Sequence, residues 1–267
     1  MTPTLVGELI NTSRTTIHDA VKQRDADTIR QLAVAQEQAG AHYIDVNAGT
    51  GIASEAVDMA WLVETVQSVC DAPLCIDSPS PKVLEAAYDL ARRPPMINSI
   101  SLEKNRLDPM KAFLKGKACG VIALCMDDTG LPGSADAILE RAARLVDHLT
   151  AIGMPAEHIW IDPLVQPVST DTGHGKLALE AVTKIVRHLP DVNTICGLSN
   201  ISFGLPCRRG INRTLVPMLL ERGMTGFICD PLDRHLMAAV KTSRMLLGQD
   251  DYCLAFMEAA GKGEIPG

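Results

Sequence analysis

The stretch QEQAGAHYIDV, from Gln36 to Val46, closes a helical pattern at Gly40 and enters a β-like run with no spacer between them. Glycine suits the left-handed conformation that commonly follows a helix C-terminus, so Gly40 reads as the residue just past a helix. Working outward, the same alternation continues to both ends of the chain. Short β-like runs occupy Leu5 to Ile10, Tyr43 to Gly49, Leu74 to Ser78, Met96 to Ser101, Gly120 to Asp127, Ile159 to Val165, Asn193 to Ser199 and Gly226 to Pro231. Between them, segments such as Asp27 to Gln38, Ser54 to Val69, Ala135 to Thr150 and Arg213 to Arg222 place apolar residues at three-and-four spacing.

Strand and helix in alternation imply parallel pairing through right-handed crossovers. Two architectures accept that order: an open doubly wound sheet and a closed barrel. A count of eight strands favours closure. The turn after the first strand, ELINTSRTT (Glu8 to Thr16), also lacks the glycines of a dinucleotide-binding GxGxxG turn. The sequence therefore predicts an α/β fold, a (β/α)8 TIM barrel, as a single domain over residues 1–267. It shows no internal repeat or linker, and GKGEIPG (Gly261 to Gly267) reads as a loose tail.

Composition narrows the function. With 267 residues and 46% hydrophobic content, the chain can bury a full core. A net charge of −7 with scattered Lys and Arg argues against nucleic acid and membrane surfaces. The opening MTPTLVGELIN has no charged region followed by a long apolar one, and no apolar run approaches a bilayer span, so a cytoplasmic protein is expected. Eight cysteines form no CxxC or CxxxC pair, and Cys75, Cys119, Cys125, Cys196 and Cys229 lie in or beside apolar runs. They read as buried free thiols. An aromatic content of 3% leaves small-molecule recognition to polar groups.

Those polar groups collect at the strand ends: Glu8 and Asn11, Asp45 and Asn47, Asp77 and Ser78, Asn98 and Ser99, Asp127 and Asp128, Asp162 and Gln166, Ser199 and Asn200, and Asp230. One such residue is ordinarily a helix cap or a turn. Eight in one register predict a polar mouth on the face where barrels bind ligands. Carboxylates inside CIDSP and IWIDPL must lose water and need donors. The seven histidines are dispersed with no HxH or HxxxH pair, so no metal ligand set is assigned, although an all-carboxylate Mg²⁺ site stays open. A flat heterocycle with a ring N–H beside an amino group, such as a pterin, would supply the donors to one carboxylate in a bidentate pair.

At these residues the chain resembles the cobalamin-dependent methyltransferases with a pterin-binding barrel, in particular the methyltetrahydrofolate:corrinoid protein methyltransferases. The resemblance is carried in order by GELIN (Gly7 to Asn11), LCIDSP (Leu74 to Pro79), MINSIS (Met96 to Ser101), MDDTGLP (Met126 to Pro132), IDPLV (Ile161 to Val165), GLSNISFGLPCR (Gly197 to Arg208) and INRT (Ile211 to Thr214). It implies that Asp77, Asn98 and Asp162 hold the pterin ring and that Asn200 reaches N5. It also implies that Asn47, Met126, Gly197, Ser199, Ser202 and Arg208 line the same site. The implied substrate is tetrahydrofolate or 5-methyltetrahydrofolate. An amide is no strong acid at neutral pH, so Asn200 is expected to stabilise the transition state by hydrogen bonding, with Asp162 tuning proton affinity. Arg208 is expected either to meet the folate tail or corrinoid edge, or to be a solvated surface arginine.

The chain has no DxHxxG corrinoid motif, since DTGHG (Asp171 to Gly175) has the wrong spacing. The cobalamin is therefore expected on a partner corrinoid protein docked over the barrel mouth. Homodimerisation is implied by the resemblance alone. Members of the acetyl-CoA-forming pathway carry an Arg in place of Leu9, an amide in place of Asp127 and a Gln in place of Phe203. The departures at Leu9 and Phe203 favour methylation of tetrahydrofolate in a demethylation pathway over the reverse transfer to a corrinoid iron–sulfur protein. Dihydropteroate synthase is a rival, but it would carry a KDPGFGFGK-like loop and an SRK-like segment where this chain has IDPLVQPVSTDTG and GLSNISFGLP. A folate-binding module without activity is the non-enzymatic rival.

Overall fold

Eight parallel strands close into a ring in the order β1 to β8 in the computed structural model, which describes residues 2–49 and 54–266. They are β1 (Thr4–Asn11), β2 (Tyr43–Asn47), β3 (Leu74–Asp77), β4 (Met96–Ser101), β5 (Gly120–Leu124), β6 (Ile159–Asp162), β7 (Asn193–Gly197) and β8 (Gly226–Cys229). Helices α1 (Thr15–Gln23) and α2 (Ala26–Gln38) share the first crossover. The later crossovers hold α3 (Glu55–Gln67), α4 (Pro81–Leu90), α5 (Lys104–Leu114), α6 (Ala135–Ala151), α7 (His174–His188) and α8 (Arg208–Glu221), and α9 (Arg234–Leu246) and α10 (Leu254–Gly261) follow β8. The (β/α)8 barrel expected from the alternation is the observed fold, and Gly40 ends α2 with φ +98°.

The differences lie at element ends. Strands β5 and β6 stop three residues early because Asp127 and Asp162 turn the chain. Their carboxylates accept the backbone N–H groups of Thr129 (2.9 Å) and Leu164 (2.7 Å), bonds that compete with the sheet ladder. Helix α8 begins at Arg208 rather than Arg213, since its first turn, RRGIN, is polar and shows no apolar periodicity. The tail is tied down: Lys241 pairs with Glu264 and Arg234 donates to the Gly263 carbonyl, while Gly267 lies outside the described residues.

Strand register decides which residues share a level inside the barrel. Stepping up two residues for every two strands gives a closed set of layers, each supplied by alternate strands. Tyr43, Met96, Trp160 and Gly226 form the lowest; Val6, Cys75, Ile122 and Ile195 form the next. The side chains of these two layers, with Leu124 and Ile228 above them, pack as one apolar plug. Gly226 makes room for the indole, because a Cβ there would lie 2.9 Å from Trp160 Cζ3. Outside the ring, Ile10, Ile44, Val46, Ile76 and Ile97 face Ile29, Met59, Leu62 and Leu84 of the helices. All eight cysteines are free, and Cys75, Cys119, Cys125, Cys196 and Cys229 are buried.

Candidate functional site

Above the apolar plug the layers change character. The third consists of Asp45, Asn98, Asp162 and Ile228, and the fourth of Glu8, Asp77, Leu124 and Gly197. Period-2 alternation makes this happen: Asp45 lies two residues above Tyr43, Asn98 above Met96, Asp162 above Trp160 and Asp77 above Cys75. Five of these eight inward positions are carboxylates or carboxamides. They stand at the C-terminal ends of the strands, on a floor of packed apolar side chains.

That setting controls their charge. Burial pushes the Asp162 carboxyl up to about 7, against one opposing bond from the Leu164 N–H. Asp45 is 3% exposed, and burial, then the Asp77 charge, raises its proton affinity well above the usual carboxylate range. The Asp45 Oδ1 atom has no hydrogen-bond partner among the described residues. Asp77 is also raised by burial, with Asn47 and Arg106 opposing. Glu8 is raised by burial and held back chiefly by Arg14. An array of acceptor oxygens with raised proton affinity suits a ligand that presents N–H groups in the plane of a ring.

Two supports hold the array in place. The Gly49 N–H donates to Asn47 Oδ1 (3.0 Å), which leaves Asn47 Nδ2 to donate to Asp77 Oδ2 (2.8 Å). One Asp77 oxygen is thereby occupied. Arg106 of α5 donates to the carbonyls of Ser78 (3.1 Å), Pro79 and Ser99 (3.0 Å), clamping the ends of β3 and β4 just beyond Asp77 and Asn98.

Opposite β3 in the ring, β7 runs into a 3-10 turn, Leu198–Ser202. Asn200 on this turn is exposed and leans back over Gly197, where a Cβ would lie 3.0 Å from its Nδ2. The Ser199 hydroxyl donates to Glu8 Oε2 (3.1 Å), joining the turn to the barrel interior. Ser202 is buried and donates to the Ser199 carbonyl (3.2 Å), while Arg208 donates to that carbonyl (2.7 Å) and to Ser202 Oγ (3.1 Å).

The residues expected from the sequence thus fall into groups. Asp77, Asn98, Asp162 and Gly197 share the barrel interior, with Asn47 bonded to Asp77 and Ser199 and Asn200 on the facing turn. Met126, half-buried beyond β5, joins the rim through its backbone carbonyl, which accepts from the Leu102 N–H (3.0 Å). Ser202 and Arg208 engage the turn's own backbone. Asp45, Glu8 and Arg106 were not singled out as site residues. Asp45 could have been, because it lies two residues before Asn47 on the same strand face; Arg106 carries no such signal.

The pterin binding enzyme family matches residues 7–229 of this chain. The chain is 33% identical over 264 residues to a methylcorrinoid:tetrahydrofolate methyltransferase of Eubacterium limosum, covering 98% of this chain and 97% of that protein. It is 27% identical over 237 residues to a methionine synthase of Mycobacterium tuberculosis, covering 84% of this chain and 20% of that longer protein. Among solved structures, a 7,8-dihydropteroate synthase from Vibrio fischeri superposes with a TM-score of 0.67 at 14% identity, covering 92% of this chain and 94% of that one. A likeness at that identity establishes the fold alone.

Proposed function

The chain belongs to the pterin-binding enzyme family, and on that premise we propose that it is a methyltransferase acting between a corrinoid protein and tetrahydrofolate. It moves a methyl group from the corrinoid cobalt of its partner to N5 of tetrahydrofolate, forming 5-methyltetrahydrofolate. The observation that carries this reading is the layer of Asp45, Asn98 and Asp162, topped by Asp77, opposite the Asn200 turn. The near full-length similarity to a methylcorrinoid:tetrahydrofolate methyltransferase supports the reaction and its direction.

The chain's own residues meet the demands of the chemistry. Asp77 and Asp162 accept the N–H edge of the pterin, and Asn98 complements its remaining ring atoms. Removing either carboxylate leaves ring N–H groups unpaired, at a cost of about 1–3 kcal/mol in binding. N5 gains positive character as it takes the methyl group, and the Asn200 carboxamide oxygen stabilises that charge at a fixed point. The raised proton affinity of Glu8, which is bonded to the Asn200 turn through Ser199, suits it to receive the proton that N5 sheds. The corrinoid, carried by the partner, supplies the cobalt–carbon bond that breaks. Gly197 keeps the strand end narrow enough for Asn200 to fold over the ring, while Arg208 and Ser202 hold its turn.

The protein is proposed to work in the cytoplasm; among the described residues no helix is long and apolar enough to cross a membrane. It is also proposed to be a homodimer, supported by the exposed Leu246, Tyr252, Leu254 and Met257 around α10. Sedimentation equilibrium tests this and should return twice the chain mass. The reaction is tested anaerobically by mixing the protein with methylcobalamin and tetrahydrofolate and following the cobalt absorbance. Conversion to the Co(I) spectrum with appearance of 5-methyltetrahydrofolate is expected. Tight tetrahydrofolate binding with no transfer, even with the corrinoid partner present, would leave a binding module instead.

A further inference from the structure

Of the four phenylalanines in the chain, Phe113 and Phe227 are buried, Phe256 is half-buried, and Phe203 is 65% exposed. An isolated exposed phenyl group needs no explanation, but this one is held in place. Its backbone N–H donates to the Asn200 carbonyl (3.1 Å) and its carbonyl accepts from Ser169 Oγ (2.7 Å). The Arg208 guanidinium lies 5.9 Å from the ring centroid and is itself fixed by the Ser199 carbonyl and Ser202 Oγ. A cation against one side of the ring favours its orientation and leaves ring surface open to solvent.

Its place relative to Asn200 gives the exposure a use. Side chains three apart in a 3-10 turn eclipse one another, roughly 6 Å apart along the axis. Phe203 caps the turn that carries Asn200, so the two side chains, both exposed, stand on one side of it. In tetrahydrofolate the reacting N5 is joined through carbon 6, a methylene and N10 to an aromatic ring. A substrate with N5 at Asn200 and its pterin in the barrel must send that ring outward past the same turn.

We propose that Phe203, backed by Arg208, is a stacking platform for the p-aminobenzoyl ring of the folate, an inference that rests on the pterin reading above. The platform selects folates over bare pterins and holds N5 against Asn200. Stacking on an aromatic side chain is worth enough for its removal to weaken binding on the order of tenfold.

The test is anaerobic titration calorimetry of wild type, Phe203→Ala, Phe203→Leu and Phe203→Trp with two probes: tetrahydrofolate, and 6-methyltetrahydropterin, which lacks the aryl ring. Wild type should prefer tetrahydrofolate. Phe203→Ala and Phe203→Leu should weaken tetrahydrofolate by about tenfold and leave 6-methyltetrahydropterin within twofold, while Phe203→Trp retains both affinities. Equal weakening of both probes would overturn the platform in favour of a role in turn integrity. Unchanged binding of both, with a higher requirement for the corrinoid protein in turnover, would overturn it in favour of a partner contact. Failure of wild type to bind either probe would instead overturn the pterin reading on which the inference rests.

Discussion

Asp162 concentrates the balance between stability and function in one side chain. It is buried, its proton affinity sits at about 7, and its protein partner is a single backbone N–H. In the pterin-binding role proposed for it, it must be ionised to accept ring N–H bonds. Tetrahydrofolate affinity should therefore climb as pH rises through about 7, and Asp162→Asn should flatten that climb; a wild-type affinity constant from pH 5.5 to 8.5 would contradict this. Stability runs the other way. Because the folded-state value lies above the unfolded value near 3.8, the contribution is fully present below that value and is lost as pH rises through about 7. The full shift corresponds to roughly 4 kcal/mol. The ligand-free Asp162→Asn variant should melt several degrees above wild type at pH 8 and close to it at pH 4. An equal difference at both values would show that the carboxyl is not the cause.

At the scale of elements, the ends of β3 and β4 matter most, and Arg106 of α5 ties them together. Charge-assisted bonds of this kind are each worth about 1.5–3 kcal/mol, so Arg106→Gln should lower the melting temperature and weaken tetrahydrofolate binding by at least tenfold. Unchanged affinity measured by calorimetry would mean that the strand ends keep their geometry without the clamp. Packing inside the ring gives a second check. Gly226→Ala drives a Cβ against the Trp160 ring and should cost about 1–3 kcal/mol, read by denaturant unfolding, with the affinity for folate preserved. The strands and the helices α2, α3, α6 and the body of α8 were legible because two periods, 2 and 3.6, alternate cleanly along the chain. Arg106 was not, because its acceptors are backbone carbonyls, two of them at the end of another strand, and carbonyls leave no mark in a sequence. The start of α8 was hidden for a related reason: Arg208 and Arg209 face solvent and the turn rather than the core.

At the scale of the molecule, closure of eight strands converts a linear pattern into a vertical gradient, from an apolar floor to a layer of acids and amides. The sequence made the polar strand ends visible, and with them the ligand class. It did not rank them by depth, since level depends on register, and register is a property of neighbouring strands. Asp45 is the clearest case: one strand-end carboxylate among several in the sequence, it shares a layer with Asn98 and Asp162. On the proposed reading, the same gradient separates binding from reaction, with the carboxylates below to hold the pterin and Asn200 above to face the docked corrinoid partner. The most direct test is a single-turnover experiment with methylcobalamin bearing a ¹³C methyl group, following labelled 5-methyltetrahydrofolate formed by wild type and Asn200→Ala at saturating tetrahydrofolate. Removing one preorganised hydrogen bond to developing charge should slow transfer about 10²–10³-fold while tetrahydrofolate affinity stays within a few-fold. Transfer in Asn200→Ala at the wild-type rate would contradict the assignment of the reacting atom to this turn.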